Sequence, residues 1–204
     1  RHLGLDIDVR ITNGIPDAIV KQAAEWIARL PRDRLGQLGT DQPALSLVAM
    51  EVPGLADVKD VVTGSYAACA LKNDGTVWCW GDNSKGLIGI GTEDPSYASP
   101  QQVLDIANAT QISLGAQHAC AVLSDGQVKC WGDNASGQLA HESEAVSRSP
   151  VFVDGINDAV EVATSPGTGF TCARLASGKV SCWGDNRYGQ LGDGTTANSV
   201  VPVE

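Results

Sequence analysis

One fifteen-residue segment occurs three times in this chain of 204 residues, and that recurrence restricts the fold more than any other property. Cys69-Ala-Leu-Lys-Asn-Asp-Gly-Thr-Val-Trp-Cys79-Trp-Gly-Asp-Asn83 returns as Cys120 to Asn134 and again as Cys172 to Asn186, at offsets of 51 and then 52 residues. A fixed period of this length marks a repeat architecture. Each copy is one supersecondary unit that cannot bury its apolar surface alone and must stack on its neighbours.

Within a copy, Ala68 to Leu71 and Val77 to Trp80 alternate around Asn73-Asp74-Gly75, which predicts a β-hairpin whose Gly takes the positive φ of the turn. A third stretch precedes each hairpin: Val58 to Gly64, Thr110 to Gly115 and Val160 to Ser165. A fourth follows it, ending near Ser99 to Val103, Ser149 to Val153 and Val200 to Val203. Pro100, Pro150 and Pro202 lie in this fourth stretch, and because Pro cannot donate to a ladder the stretch is expected at a sheet edge. Four strands in about 50 residues is the unit of a propeller blade. The expected fold is therefore all-β: an arc of four-stranded antiparallel blades, about three complete and one partial.

Residues 58–204 hold the three repeats, roughly 58–109, 110–159 and 160–204. Residues 31–57 read as a partial blade, since Arg34-Leu-Gly36-Gln-Leu-Gly39-Thr40 and Leu47 to Gly54 match the tail of a repeat but lack its cysteine hairpin. Residues 1–30 are a separate strand-helix segment. Leu5 to Thr12 suits a strand, and Pro16 followed by Ile19, Ala23, Ile27 and Leu30 on one face suits a helix stopped by Pro31.

Trp-Gly-Asp-Asn, then Gly189-Gln-Leu-Gly-Asp-Gly-Thr195, then a Pro-Val strand resembles the regulator of chromosome condensation repeat. The second copy departs from it at Gly137-Gln-Leu-Ala140-His141, and the first at Gly86-Leu-Ile-Gly89-Ile-Gly91-Thr92. The resemblance implies a propeller, usually seven-bladed. With its paired hairpin cysteines the chain looks like a secreted variant of bacterial type. Three blades and a fraction do not close seven, so the remainder is expected outside this chain, which starts at Arg1 rather than Met. The alternative is a second copy completing the ring, and a lone arc is expected to self-associate through open blade faces.

All six cysteines form three pairs with nine residues between partners, each pair flanking one hairpin turn. Partners at equal distance from a turn face each other, so Cys69 with Cys79, Cys120 with Cys130 and Cys172 with Cys182 is the expected pairing. Reduced facing thiols or a metal site are the alternatives, although a metal normally takes closer spacing and more ligands. Disulfides would each contribute about 2 to 3 kcal/mol and point to a secreted, periplasmic or cell-surface protein.

The net charge is −10, with no stripe of Lys and Arg, which excludes nucleic acid as the main partner. No apolar run nears the ~18 residues of a membrane-spanning helix, so no membrane insertion is expected. Only His2, His118 and His141 are available for acid-base chemistry. His118 falls at the strand position held by Ala67 and Phe170 and reads as a packed side chain. His141, near Glu142 and Glu144, reads as part of a solvated loop. No catalytic motif, cofactor loop or metal set appears, so the sequence reads as a protein that is not an enzyme and carries no cofactor. Asp82-Asn83, Asp133-Asn134 and Asp185-Asn186 are read as turn residues. Trp80-Gly81, Trp131-Gly132 and Trp183-Gly184 are read as packing between blades, and Trp78 as an exposed or edge residue.

The function expected from this is recognition of a protein partner, of unknown identity, through the variable loops Ser84 to Ala98, Ala135 to Arg148 and Arg187 to Asn198. Two alternatives stand beside it. One is a regulator of a small GTPase of the nucleotide-exchange type, which the family includes. The other is a lectin-like domain, with Trp78 or Tyr97 as its platform.

Overall fold

The structure, a computed structural model, describes residues 36–39, 50–142 and 145–204. The strand and helix expected in residues 1–30 lie outside the described residues. Every regular element among those described is a strand.

The first blade contains β1 (Val58–Thr63), β2 (Ala67–Lys72), β3 (Val77–Asp82) and β4 (Ser96–Gln102). The second contains β5 (Ala109–Leu114), β6 (His118–Leu123), β7 (Val128–Asp133) and β8 (Val146–Phe152). The third contains β9 (Ala159–Thr164), β10 (Phe170–Leu175), β11 (Val180–Gly184) and β12 (Ser199–Val203). Each is a four-stranded antiparallel meander in sequence order. The first strands of consecutive blades are neighbours. Lys59 donates to the Thr110 carbonyl at 3.0 Å, and the Gln111 side chain both receives the Val162 N–H at 2.9 Å and donates to the Val162 carbonyl at 3.1 Å. β4, β8 and β12 are the outer edges, where Pro100 and Pro150 fall in the register shifts of β4 and β8.

Burial follows from strand periodicity. Ala119, Ala121, Leu123 and Trp131 point back into a core shared with Leu71, Val77, Cys69 and Cys79 of the first blade. Cys120, Val122, Val128 and Cys130 point forward into a second core, with Val162, Ala173, Leu175 and Trp183 of the third blade. The central strands β6 and β7 are buried along their whole length because both of their faces are covered. Apolar residues that could not be buried by one blade are buried between two.

The meander also sorts the connections. The β1–β2 and β3–β4 loops and their equivalents leave one end of the arc. The β2–β3 hairpin turns and the blade-to-blade connections leave the other.

Candidate functional site

Cysteine and tryptophan are adjacent in β3, β7 and β11, so they project from opposite faces. Cys69 pairs directly with Cys79, Cys120 with Cys130 and Cys172 with Cys182, at Cα separations of 4.1, 4.1 and 4.0 Å, and each pair is joined by a disulfide. Short Cα spacing belongs to facing residues that exchange no main-chain hydrogen bonds. The indoles do the complementary work on the other face. Trp80 Nε1 donates to the Gln37 carbonyl at 3.0 Å, Trp131 Nε1 to Leu87 at 2.8 Å and Trp183 Nε1 to Gln138 at 2.9 Å. The acceptor each time is the second residue of a Gly-x-Leu/Ile turn of the preceding repeat. These turns close alike: Gly39 N–H to Gly36, Gly89 to Gly86, Ala140 to Gly137 and Gly192 to Gly189.

Gly81, Gly132 and Gly184 follow the tryptophans at φ of 105°, 107° and 101°. A Cβ there would strike the carbonyls of Tyr66, Gln117 and Gly169, so glycine lets the β1–β2 type loop close over the strand. The asparagines clamp the long loops. Asn83 Oδ1 receives Ile88 N–H, Asn134 receives Leu139 and Asn186 receives Leu191, at 3.0 to 3.1 Å. The aspartates hold the loop entrances: Asp82 with Ser84, Asp133 with Gln138 and Lys85, and Asp185 in a two-point pair with Arg187 that lowers its pKa below the ordinary carboxylate value.

This bracing corrects the expectation that the whole of each variable loop is available to a partner. Gly86 to Gly89 and Gly137 to Ala140 are buried between blades, because their carbonyls accept the next indole. Among the residues that stay wholly or partly exposed at this end, beside Ser84, Glu93, Asp94, Ala135 and Arg187, are two sets of equivalent positions that differ from blade to blade. Tyr66, Gln117 and Gly169 occupy one, and Lys85, Ser136 and Tyr188 the other. Tyr188 is 84% exposed. The sequence signal for them is a position that changes inside an otherwise constant repeat.

The other residues singled out fall elsewhere. His118 is buried, and Thr171 explains it. Thr171 Oγ1 donates to the Gln138 carbonyl at 3.0 Å and is therefore the acceptor of a 2.8 Å bond from His118 Nε2–H. Burial pushes the imidazole pKa down to about 4, against a weaker upward pull from Asp133. His141 sits 3.9 Å from Asp154, and Glu144 lies outside the described residues. Trp78 and Tyr97 are half-buried and both engaged. Lys72 covers the Trp78 ring at 5.7 Å, and the Tyr97 hydroxyl bonds Thr92 and Asp94. Neither ring is fully exposed and neither is buried.

Comparison with known proteins matches this repeated unit to the Regulator of chromosome condensation (RCC1) repeat at residues 74–122, 125–173 and 177–204, and a second model of the same repeat matches 58–87, 109–138 and 160–190. The chain belongs to the RCC1 repeat family. RCC1-repeat relatives include the probable E3 ubiquitin-protein ligase HERC6 of Homo sapiens, 37% identical over 175 residues, covering 82% of this chain and 17% of that protein. The probable E3 ubiquitin-protein ligase HERC3 of Homo sapiens is 35% identical over 147 residues, covering 71% of this chain and 14% of that protein. Yeast RCC1 (Prp20), solved with Kap60, superposes with a TM-score of 0.71 over 84% of this chain and 42% of its own, at 19% identity. The RCC1 fold is thus shared, and the chain spans a small part of the ligases.

These relatives overturn the reading of a protein that is not an enzyme. They are described as probable E3 ubiquitin-protein ligases, and this chain matches only the RCC1-repeat part of them, which shows no enzymatic activity of its own. Repeat residues carry only the chemistry of stacking blades, so they give no signal of a catalytic unit elsewhere in a longer protein.

Proposed function

We propose that the RCC1 arc is a protein-recognition module acting through the end of the propeller that carries Tyr66, Gln117, Lys85 and Tyr188, and that it works in an oxidising compartment, secreted, periplasmic or at the cell surface. One observation carries the recognition reading. Side chains of different chemistry stand at equivalent positions on blades locked by disulfides and by indole-to-carbonyl bonds. A rigid scaffold with varied exposed tips loses little conformational entropy on binding. Tyr is favoured at such positions, since it presents a large, stiff surface with one polar tip. The yeast relative supports a protein as the partner, being solved bound to Kap60 and studied for its binding to Gsp1p and histones. The compartment reading rests on three disulfides with no free cysteine left over.

The test compares two variants for capture of proteins from the native compartment. Tyr66→Ala with Tyr188→Ala alters the loop end, and Asp74→Ser with Asp125→Ser alters the hairpin end. Loss of a captured protein only with the tyrosine variant is the expected result. Loss only with the aspartate variant would move the surface to the other end. Intact mass after alkylation of protein from its native source tests the compartment, and six adducts would sink that part.

A further inference from the structure

The two boundaries between the three blades differ at one pair of equivalent positions. Between the first and second blades the pair is Ala67 and Ala119, both inside one apolar cluster. Between the second and third it is His118 and Thr171, both fully buried. We propose that this second boundary is an acid-released latch: a proton taken up by His118 parts the second and third blades at the loop end and takes the recognition surface there apart. Resting on the recognition reading above, the latch adds regulation to the same surface.

Gln138 joins the latch to the surface. Its main-chain carbonyl receives Trp183 Nε1–H at 2.9 Å and the Thr171 hydroxyl at 3.0 Å, and Thr171 in turn receives His118 Nε2–H at 2.8 Å. Its side chain receives Ser136 N–H at 2.8 Å and donates to Asp133 at 2.7 Å. A Cβ on Gly169 would meet that side chain at 2.7 Å, so the Gly169 tip rests on it. Gln117, another tip, directly precedes His118. Ala116 N–H also crosses the boundary at this end, to the Ser165 carbonyl at 3.3 Å. The tips of the two blades therefore keep their mutual places only while the boundary is closed.

Charge makes the boundary releasable. His118 Nε2 already carries a donated proton, so a second one goes to Nδ1 and puts a positive charge where water does not reach, which is unfavourable without a partner. Asp133 is the carboxylate that pulls on this ring, but Gln138 at 2.7 Å and Lys85 at 3.3 Å already hold it. Other charges on the packed strands are tied elsewhere: Glu161 of β9 to Arg174 of β10 at 3.0 Å, and Lys129 of β7 to the Asp105 carbonyl at 2.9 Å, while β5 and β11 carry none. Separation of the blades hydrates the imidazolium.

The turn is the second feature. Ala140 takes φ of 45° where Gly39, Gly89 and Gly192 stand in the other turns at 72°, 72° and 74°. A Cβ disfavours that conformation, so this turn is held by the bonds it makes and yields once they break.

The experiment follows hydrogen exchange of the Trp183 and Trp131 Nε1–H groups and of the Ala116 N–H by NMR on the full chain, between about pH 7.5 and 5.5. Trp131 does at the first boundary what Trp183 does at the second, so the ratio of their rates cancels the intrinsic effect of pH. His118 titrates near 6.5 when the boundary is open and near 4 when it is closed, so opening rises as pH falls through 6.5, about tenfold over this range. The Trp183-to-Trp131 ratio should rise by that factor, and Ala116, corrected for its intrinsic rate, should follow Trp183. His118→Phe, which places there the residue that the third repeat carries as Phe170, should hold the ratio constant. A ratio that stays within about twofold in the unaltered chain overturns the latch, and that result needs no variant to fold. A ratio that still rises in His118→Phe overturns it as well, by removing His118 as the source. A rising ratio beside an unchanged Ala116 breaks the link to the loop end. No partner enters the readout, so the latch fails or stands separately from the capture experiment that tests recognition.

Discussion

The indole of Trp183 and the main-chain carbonyl of Gln138, 45 residues apart in sequence, meet at 2.9 Å across the boundary between two blades. Thr171 donates to the same carbonyl, and His118 donates to Thr171. The boundary is thus a chain of polar contacts inside an apolar core. The Gln138 carbonyl keeps one donor if either Trp183 or Thr171 is lost, whereas loss of the Thr171 hydroxyl strands the buried His118 Nε2–H, which costs more than the bond itself contributes.

Trp131→Phe removes the equivalent donor between the first and second blades and strands the Leu87 carbonyl. Allowing also for the volume lost, stability should fall by about 2 to 4 kcal/mol. Urea unfolding followed by circular dichroism measures this, and a loss below about 0.5 kcal/mol would mean the bond contributes nothing net.

His118 makes the boundary between the second and third blades sensitive to acid. Its folded pKa of about 4 lies below the ordinary value of 6.5, so the unfolded chain takes up a proton first. Stability is full above the unfolded pKa and is lost as pH falls from about 6.5 towards 4, by roughly 3 kcal/mol in all. His118→Phe, which places at this position the residue that the third repeat carries as Phe170, should flatten that part of the profile whatever its effect at pH 8. Parallel profiles for the two proteins would rule out this source of acid sensitivity.

The three disulfides should not open together. Cys172–Cys182 lies on the exposed face and the other two lie between blades, so brief mild reduction followed by alkylation should label Cys172 and Cys182 first. Peptide mapping reads the order. Equal labelling of Cys120 and Cys130 at early times would show that the blades separate before the thiol attacks.

Two glycines with positive φ separate strain from crowding. Gly178, at φ of 85°, has open space around a Cβ, so Gly178→Ala should cost only about 1 to 2 kcal/mol. At Gly132 the added carbon also meets the Gln117 carbonyl and His118, so Gly132→Ala should cost more than about 3 kcal/mol. Thermal unfolding of both proteins gives the comparison, and equal losses would mean that the loop over β7 yields easily.

Much of the fold was legible in the repeat itself. Alternation in Ala68 to Leu71 and Val77 to Trp80 fixes two strands, and the turn between them fixes their register, so Cys69 must face Cys79. Adjacent Cys79 and Trp80 must then lie on opposite faces. Less of the candidate site was legible. Gly86 to Gly89 and Gly137 to Ala140 look like free loop in a sequence with short turn residues, but the structure buries them. Tyr188 differs from Lys85 and Ser136 at its repeat position, a visible signal, yet only its 84% exposure separates it from a packed residue such as His118.

The sequence by itself determined the blades, their strand order and the facing cysteines, because all of these depend on residues within about a dozen positions of one another, where strand period and turn geometry suffice. Only the tertiary structure decided which carbonyl receives each indole, which half of each loop is covered and which blade face stays open. Those outcomes depend on groups some 45 residues apart, brought together when one sheet buries its face on the next.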